Sequence, residues 1–162
     1  MVKNMKKIFL YSLLWLLLDQ GSKIVVKSLI ELGESVAVIP TFFQLTYVRN
    51  TGAAWSIFEG SRVFLILVSF VAIMLIYWFL VKDKKIEKIE EIGYGILLGG
   101  ILGNLIDRIF LGYVIDFIHF RIINYNFPVF NVADIGIVIG MFIVIFIMLK
   151  EDFYGDKSRT RK

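Results

Sequence analysis

Four long apolar stretches constrain this chain more than any other feature: Ile8–Ile30, Val63–Val81, Ile92–Phe110 and Val132–Leu149. A helix needs about 20 mostly apolar residues to cross the hydrocarbon of a bilayer. Each stretch meets or nearly meets that length. The chain is 162 residues long and 58% hydrophobic, with mean hydropathy +0.77. A soluble domain of this size buries only about two-thirds of its chain surface, too little to hide such a surplus. The expected fold class is an all-α membrane protein: four transmembrane helices, with a small extracytoplasmic β-sheet formed by the outer loops. One domain is expected over residues 1–162. Disorder is excluded by the hydrophobicity. A disulfide scaffold and a Cys/His zinc site are excluded because there is no Cys and one His, His119.

The start of the chain resembles a secretory signal peptide, with Lys3, Lys6 and Lys7 before an apolar run from Ile8 to Leu18. Leu18-Asp19-Gln20 offers no small-residue cleavage site, and three more spans follow, so a retained first helix is expected. Twelve of the 18 basic residues fall on one side of the spans. They are Lys3, Lys6 and Lys7; Lys82, Lys84, Lys85 and Lys88; and Lys150, Lys157, Arg159, Arg161 and Lys162. The opposite loops carry only Arg49, Arg62 and Arg121. Positively charged loops stay in the cytoplasm, so both termini are expected inside and the two long loops outside. The net charge of +4 thus follows topology and anionic headgroups, not nucleic acid.

The stretch 82–91 reads as a short, charged, solvated connector. The outer loops, Glu31–Ser61 and Leu111–Asn131, read differently. Val36 and Val38 alternate with smaller residues, and Phe42–Val48 and Tyr113–Phe120 are rich in β-branched and aromatic residues. These patterns predict the strands of the sheet.

Ionisable groups at membrane depth cost about 2.5–3.5 kcal/mol each on insertion scales. Asp19, Lys23, Asp107, Arg108 and Asp134 nevertheless lie in spans, and Asp116 just beyond one. Asp19 and Lys23 stand at i, i+4 and can pair. A Ser22–Lys23 nucleophilic dyad is disfavoured, because adjacent helical residues point about 100° apart. A carboxylate beside Lys23 would also keep it protonated, which is wrong for a base. Asp107 and Arg108 are adjacent and need separate partners: Lys23 or an outer-loop group for Asp107, a carboxylate for Arg108. Gly95, Gly99 and Gly103, and likewise Gly136 and Gly140, recur every four residues, forming smooth faces for close helix approach.

Asp134, three residues into span four, could simply complement a helix dipole. That does not account for Asp116 in the apolar stretch Val114-Ile115-Asp116-Phe117-Ile118 on the same expected side. Two carboxylates converging at low dielectric would share a proton and could act as acid and base on water and a departing amine. A catalytic pair and a structural or ion-conducting use both remain open on the residues alone. Metal hydrolysis has no H-E-x-x-H motif to support it.

Five segments carry a resemblance: Asp19-Gln20-Gly21-Ser22-Lys23, Arg49-Asn50-Thr51-Gly52-Ala53-Ala54-Trp55, Gly99 through Arg108 with its Asn104-Leu105-Ile106-Asp107-Arg108, Val114-Ile115-Asp116-Phe117, and Phe130-Asn131-Val132-Ala133-Asp134. In this order they resemble the signature blocks of lipoprotein signal peptidase, or signal peptidase II. The resemblance implies a bacterial membrane aspartic endopeptidase. Such an enzyme removes the signal peptide from prolipoproteins just before the diacylglyceryl-modified lipobox Cys. It implies Asp116 and Asp134 as catalytic residues. It implies Asp19, Lys23, Asn50, Asn104, Asp107, Arg108 and Asn131 as substrate-binding or supporting residues.

No metal or cofactor is expected. The expected partners are a lipidated prolipoprotein and membrane lipid, with no nucleic acid, and the chain is expected to be a monomer in the bacterial cytoplasmic membrane. Arg49 and Asn50 are expected to meet substrate backbone, and Trp55 to anchor a short interfacial helix. The rival readings are a small proton or cation transporter using the buried acids and a structural adaptor. A transporter predicts acids along the whole bilayer path, whereas Asp19, Asp107, Asp116 and Asp134 gather toward one half.

Overall fold

A computed structural model describes residues 2–53, 57–82, 86–123 and 125–159, without the side chains of 2–4, 82 and 151–159. Ala54 and Trp55 lie outside the described residues, as do Lys84, Lys85, Arg161 and Lys162. The chain runs α1 (Val2–Leu29), β1 (Ser35–Ile39), β2 (Phe43–Asn50), α2 (Arg62–Lys82), α3 (Lys88–Phe110), β3 (Val114–Ile122), β4 (Tyr125–Asn126) and α4 (Val132–Arg159). All four helices are long and apolar enough to cross a membrane.

α3 is the axis of the bundle. In its most apolar window 61% of residues are buried, against 17–28% in the other three helices. Those three therefore turn most of their apolar side chains outward, as with Phe9, Phe64 and Phe142, which suits helices bathed in lipid. Glycine explains the central position of α3. A Cβ on Gly99 would fall 2.6 Å from the Ser12 carbonyl oxygen of α1, and one on Gly95 would meet Tyr11 and Ile8. On the other side, a Cβ on Gly140 of α4 would lie 2.6 Å from the Leu97 backbone nitrogen. The small-residue faces thus pack α3 directly against both neighbours.

α3 begins four residues earlier than the apolar stretch predicts. The Glu90 carboxylate accepts the Glu87 backbone N–H at 2.7 Å, and Glu91 pairs with Lys7 at 3.0 Å. A capping acid and a partnered one let a charged segment join the first turn. The connector is correspondingly shorter than expected. At the other end, the Leu111 and Gly112 N–H groups both return to the Asp107 carbonyl. Gly112, at φ +87°, takes the left-handed conformation that stops the helix and starts β3.

The sheet is antiparallel, in the order β1-β2-β3-β4. Three strands fall where the sequence predicts them; the two-residue β4 carries no sequence signal. Alternation along β3 sends Ile115 and Phe117 into an apolar cluster with Val26 and Ile30 of α1 and Tyr47 of β2. The same alternation sends Asp116 to the opposite face. After β4 the chain pairs Phe130 with Ile118 of β3, which sets Asn131 beside Asp116.

Candidate active site

Asp116 is paired with Val48 across β2 and β3 and is only 2% exposed. Its Oδ2 accepts the Asn50 Nδ2 amide at 2.8 Å, and its Oδ1 accepts the Asn131 Nδ2 amide at 2.6 Å. Burial first, and then the neighbouring Asp134 carboxylate, push the Asp116 carboxyl up to about 7, against the opposing pull of the two asparagine donors.

Asp134 sits in the first turn of α4. Asn131 and Asp134 form a reciprocal cap: the Asp134 N–H donates to Asn131 Oδ1 at 2.9 Å, and the Asn131 N–H donates to Asp134 Oδ2 at 3.1 Å. Asp134 Oδ1 accepts the Asn104 amide at 2.8 Å. Both carboxylates are therefore tied to Asn131, which is itself fully buried. Among the described residues they share this asparagine rather than a direct carboxylate–carboxylate hydrogen bond.

Asn104 is the second junction. Its Oδ1 accepts Lys23 Nζ and Asn131 Nδ2, each at 3.1 Å, while its amide serves Asp134. Lys23 is 1% exposed and also pairs with Asp19 at 2.8 Å and Asp107 at 3.0 Å. The two acids reach further. Asp19 Oδ1 accepts the Ala133 N–H at 2.8 Å, and Asp107 Oδ2 accepts the Ile115 N–H at 3.1 Å. Each thus holds the backbone one residue before Asp134 or Asp116. Every buried side-chain polar atom among the described residues has a partner, as a low-dielectric site requires.

Two expectations need correction. Arg108 bonds no carboxylate among the described residues; its guanidinium donates to the Gly52 carbonyl at 2.8 Å and the Asn104 carbonyl at 3.4 Å. It fastens the segment after Asn50 to the end of α3, which a neutral acceptor serves without a second buried charge. Arg49 does not join Asn50 at the site. Strand alternation turns it outward, where it stacks over Tyr113 at 4.7 Å. The short interfacial helix expected at Trp55 falls on residues outside the described ones. Ser22 donates to the Asp19 carbonyl at 2.7 Å, away from any dyad with Lys23. His119 lies on the sheet, its Nδ1 2.7 Å from Gln44 and 3.1 Å from Thr46.

Several contributors escaped the sequence reading. Gln20 bonds both Asp19 and Asp107. The Trp15 indole donates to the Val132 carbonyl at 3.1 Å, in space left by Gly136. Arg62 donates to the Arg108 and Ile109 carbonyls at 2.7 and 2.8 Å, closing the end of α3. Trp15, Asp19 and Lys23 lie at i, i+4, i+8, a shared helix face that offers a signal for Trp15. The Asn131-x-x-Asp134 spacing was a readable capping signal.

Residues 11–150 match the family model described as signal peptidase (SPase) II. The lipoprotein signal peptidase of Clostridium tetani is 39% identical over 146 residues, 90% of this chain and 94% of that one. The lipoprotein signal peptidase of Staphylococcus aureus is 37% identical over 133 residues, 82% of each chain. A solved bacterial membrane enzyme superposes with a TM-score of 0.82 at 34% identity, over 90% of this chain and 88% of that one. A second solved bacterial membrane enzyme gives 0.79 over 89% and 93%. With the match running through every helix and strand of the site, this chain belongs to the signal peptidase II family.

Proposed function

We propose that this chain is an aspartic endopeptidase of the membrane, which removes the signal peptide of a prolipoprotein just before its diacylglyceryl-modified Cys. The observation that carries the reading is the junction at Asn131. It ties two carboxylates from distant parts of the chain to one buried amide, where a membrane-crossing bundle meets a sheet. Membership of the family and the names of its relatives support the substrate class; neither favours the transporter.

The environments of the two acids suggest different roles. Asp116, its carboxyl pushed up to about 7 by burial and by Asp134, is partly protonated at neutral pH. Asp134 accepts two N–H donors at the start of a helix, a place that suits a carboxylate. In the proposed reaction Asp134 takes a proton from water as its oxygen bonds to the scissile carbonyl carbon. Asp116 gives its proton to the carbonyl oxygen, forming a gem-diol. Collapse breaks the C–N bond: Asp134 returns its proton to the leaving nitrogen, and Asp116 recovers one from a gem-diol hydroxyl. The pair ends with the single proton it began with.

The basic clusters support an orientation with both termini cytoplasmic and the sheet end outside. A signal helix and acyl chains would lie in lipid against the apolar helix surfaces, with the scissile bond at headgroup level. One chain supplies every residue of the site, which supports activity as a monomer, with residues 1–162 forming one peptidase domain. The test is cleavage of a synthetic diacylglyceryl-Cys peptide by purified protein, with the unlipidated peptide as control. Cleavage of the lipidated peptide alone, unaffected by chelator, is expected. Equal cleavage of both would contradict the lipid requirement, and metal-reversible inhibition would contradict the aspartic mechanism.

A further inference from the structure

The ion cluster of α1 and α3 is unbalanced: two buried carboxylates, Asp19 and Asp107, face one ammonium, Lys23. Like charges that share one ammonium in a low-dielectric site repel, and the repulsion acts along the line joining the two acids. Both acids also hold backbone. Asp19 grips the N–H of Ala133, next to Asp134, and Asp107 grips the N–H of Ile115, next to Asp116. A change in the spacing of Asp19 and Asp107 therefore moves the backbone beside both proposed catalytic acids.

One neutral side chain spans the two acids. Gln20 Nε2 lies 3.1 Å from Asp19 Oδ2, 3.0 Å from Asp107 Oδ1 and 3.2 Å from the Gly103 carbonyl oxygen. Among the described residues it is the donor to Asp107 Oδ1, the oxygen that Lys23 and Ile115 leave open. Its neutrality also matters. A second cation would over-neutralise the cluster, and an apolar side chain would leave the Asp107 oxygen bare.

We propose that Gln20 is a positioning residue of the reaction, the neutral donor that fixes the separation of Asp19 and Asp107 and through their backbone contacts the separation of Asp134 and Asp116. The inference rests on the peptidase reading above. Gln20 touches no reacting atom; it acts through the two acids. The groups facing it are Asp19 and Lys23 from α1 and Asp107 from α3, with Asn104 linking the cluster to Asp134.

The experiment compares full-length wild type, Gln20→Met and Gln20→Glu on the diacylglyceryl-Cys peptide in detergent micelles. Gln20→Met keeps the length and removes the donor. Its kcat is expected to fall roughly 10- to 100-fold, the scale of a misplacement of up to about 1 Å, with KM within about twofold. Gln20→Glu keeps the shape but adds a charge. Ionised, it repels both acids; protonated, it donates one hydrogen bond. The ratio of its kcat to that of wild type is therefore expected to rise as pH is lowered from about 8 to 5.5, which a purely structural role would not produce. Wild-type kcat in Gln20→Met, or a pH-independent ratio in Gln20→Glu, would overturn the proposal. If Gln20→Met does not fold, the Gln20→Glu ratio decides. Failure of folded wild type to cleave the peptide would instead overturn the peptidase reading, so the two failures are distinguishable.

Discussion

Asn131 Nδ2 lies 2.6 Å from Oδ1 of Asp116. The same asparagine caps the helix on which Asp134 stands. Its orientation is fixed, because Oδ1 receives the Asp134 N–H and Nδ2 is left to donate to Asp116 and Asn104. A residue with both ends of its amide engaged can hold two carboxylates in register without carrying charge itself.

The first prediction follows from the Asp116 carboxyl, raised by burial and by Asp134 from 3.8 to about 7. Below about pH 4 both the folded and unfolded chains carry its proton. Between about pH 4 and 7 the unfolded chain releases the proton while the folded chain keeps it. Stability is therefore expected to fall as pH rises through that window, by at most about 1.4 kcal/mol per pH unit from this one group. Asp116→Asn is expected to remove that component of the slope. Thermal unfolding in detergent across the window checks it; an identical slope in the variant would contradict the assignment. In the wild type, kcat/KM is expected to decline above about pH 7, as the acid of the pair loses its proton.

A second prediction concerns Lys23, which holds Asp19 and Asp107 together at 2.8 and 3.0 Å. Lys23→Met leaves two buried carboxylates without their cation and is expected to destabilise the protein by about 3–5 kcal/mol. Adding Asp107→Asn to it removes one of those charges, so the double variant is expected to lose less than the sum of the two single losses. Unfolding of the four proteins in one detergent measures the cycle, and strict additivity would mean the pair is uncoupled.

A third prediction separates two glycines, Gly21 of α1 and Gly103 of α3. A Cβ on Gly103 would overlap the Asp19 carboxylate, whereas one on Gly21 meets nothing within 4 Å. Gly103→Ala is expected to displace Asp19 from Lys23 and Ala133, lowering both stability and cleavage. Gly21→Ala is expected to be neutral or to stabilise by about 0.4–1 kcal/mol. Equal effects at the two positions would contradict the packing described here.

Much of this site was legible because its residues are costly where they stand. Asp19, Lys23 and Asp107 announce themselves as charges in apolar helices, and their pairing follows the i, i+4 spacing and the need to neutralise each other. The glycine faces were legible from their four-residue period, and β1 to β3 from β-branched and aromatic runs. What escaped was decided by tertiary contact. Arg108 reads as an orphan needing a carboxylate, but Gly52 lies in another segment and its carbonyl suffices. Gln20 reads as one polar residue among neighbours until α1 meets α3 and two acids fall within its reach. Arg49 and Asn50 are adjacent in sequence, and only the strand they share sends one outward and the other to Asp116.

The most direct measurement is the turnover of the lipidated peptide by Asp116→Asn and by Asp134→Asn, each first shown to keep its helical content and a cooperative unfolding transition. Both variants are expected to lose cleavage by roughly 100- to 10,000-fold, the range in which a positioned acid or base contributes. Wild-type turnover in either variant would remove that aspartate from the chemistry and contradict the two-carboxylate account.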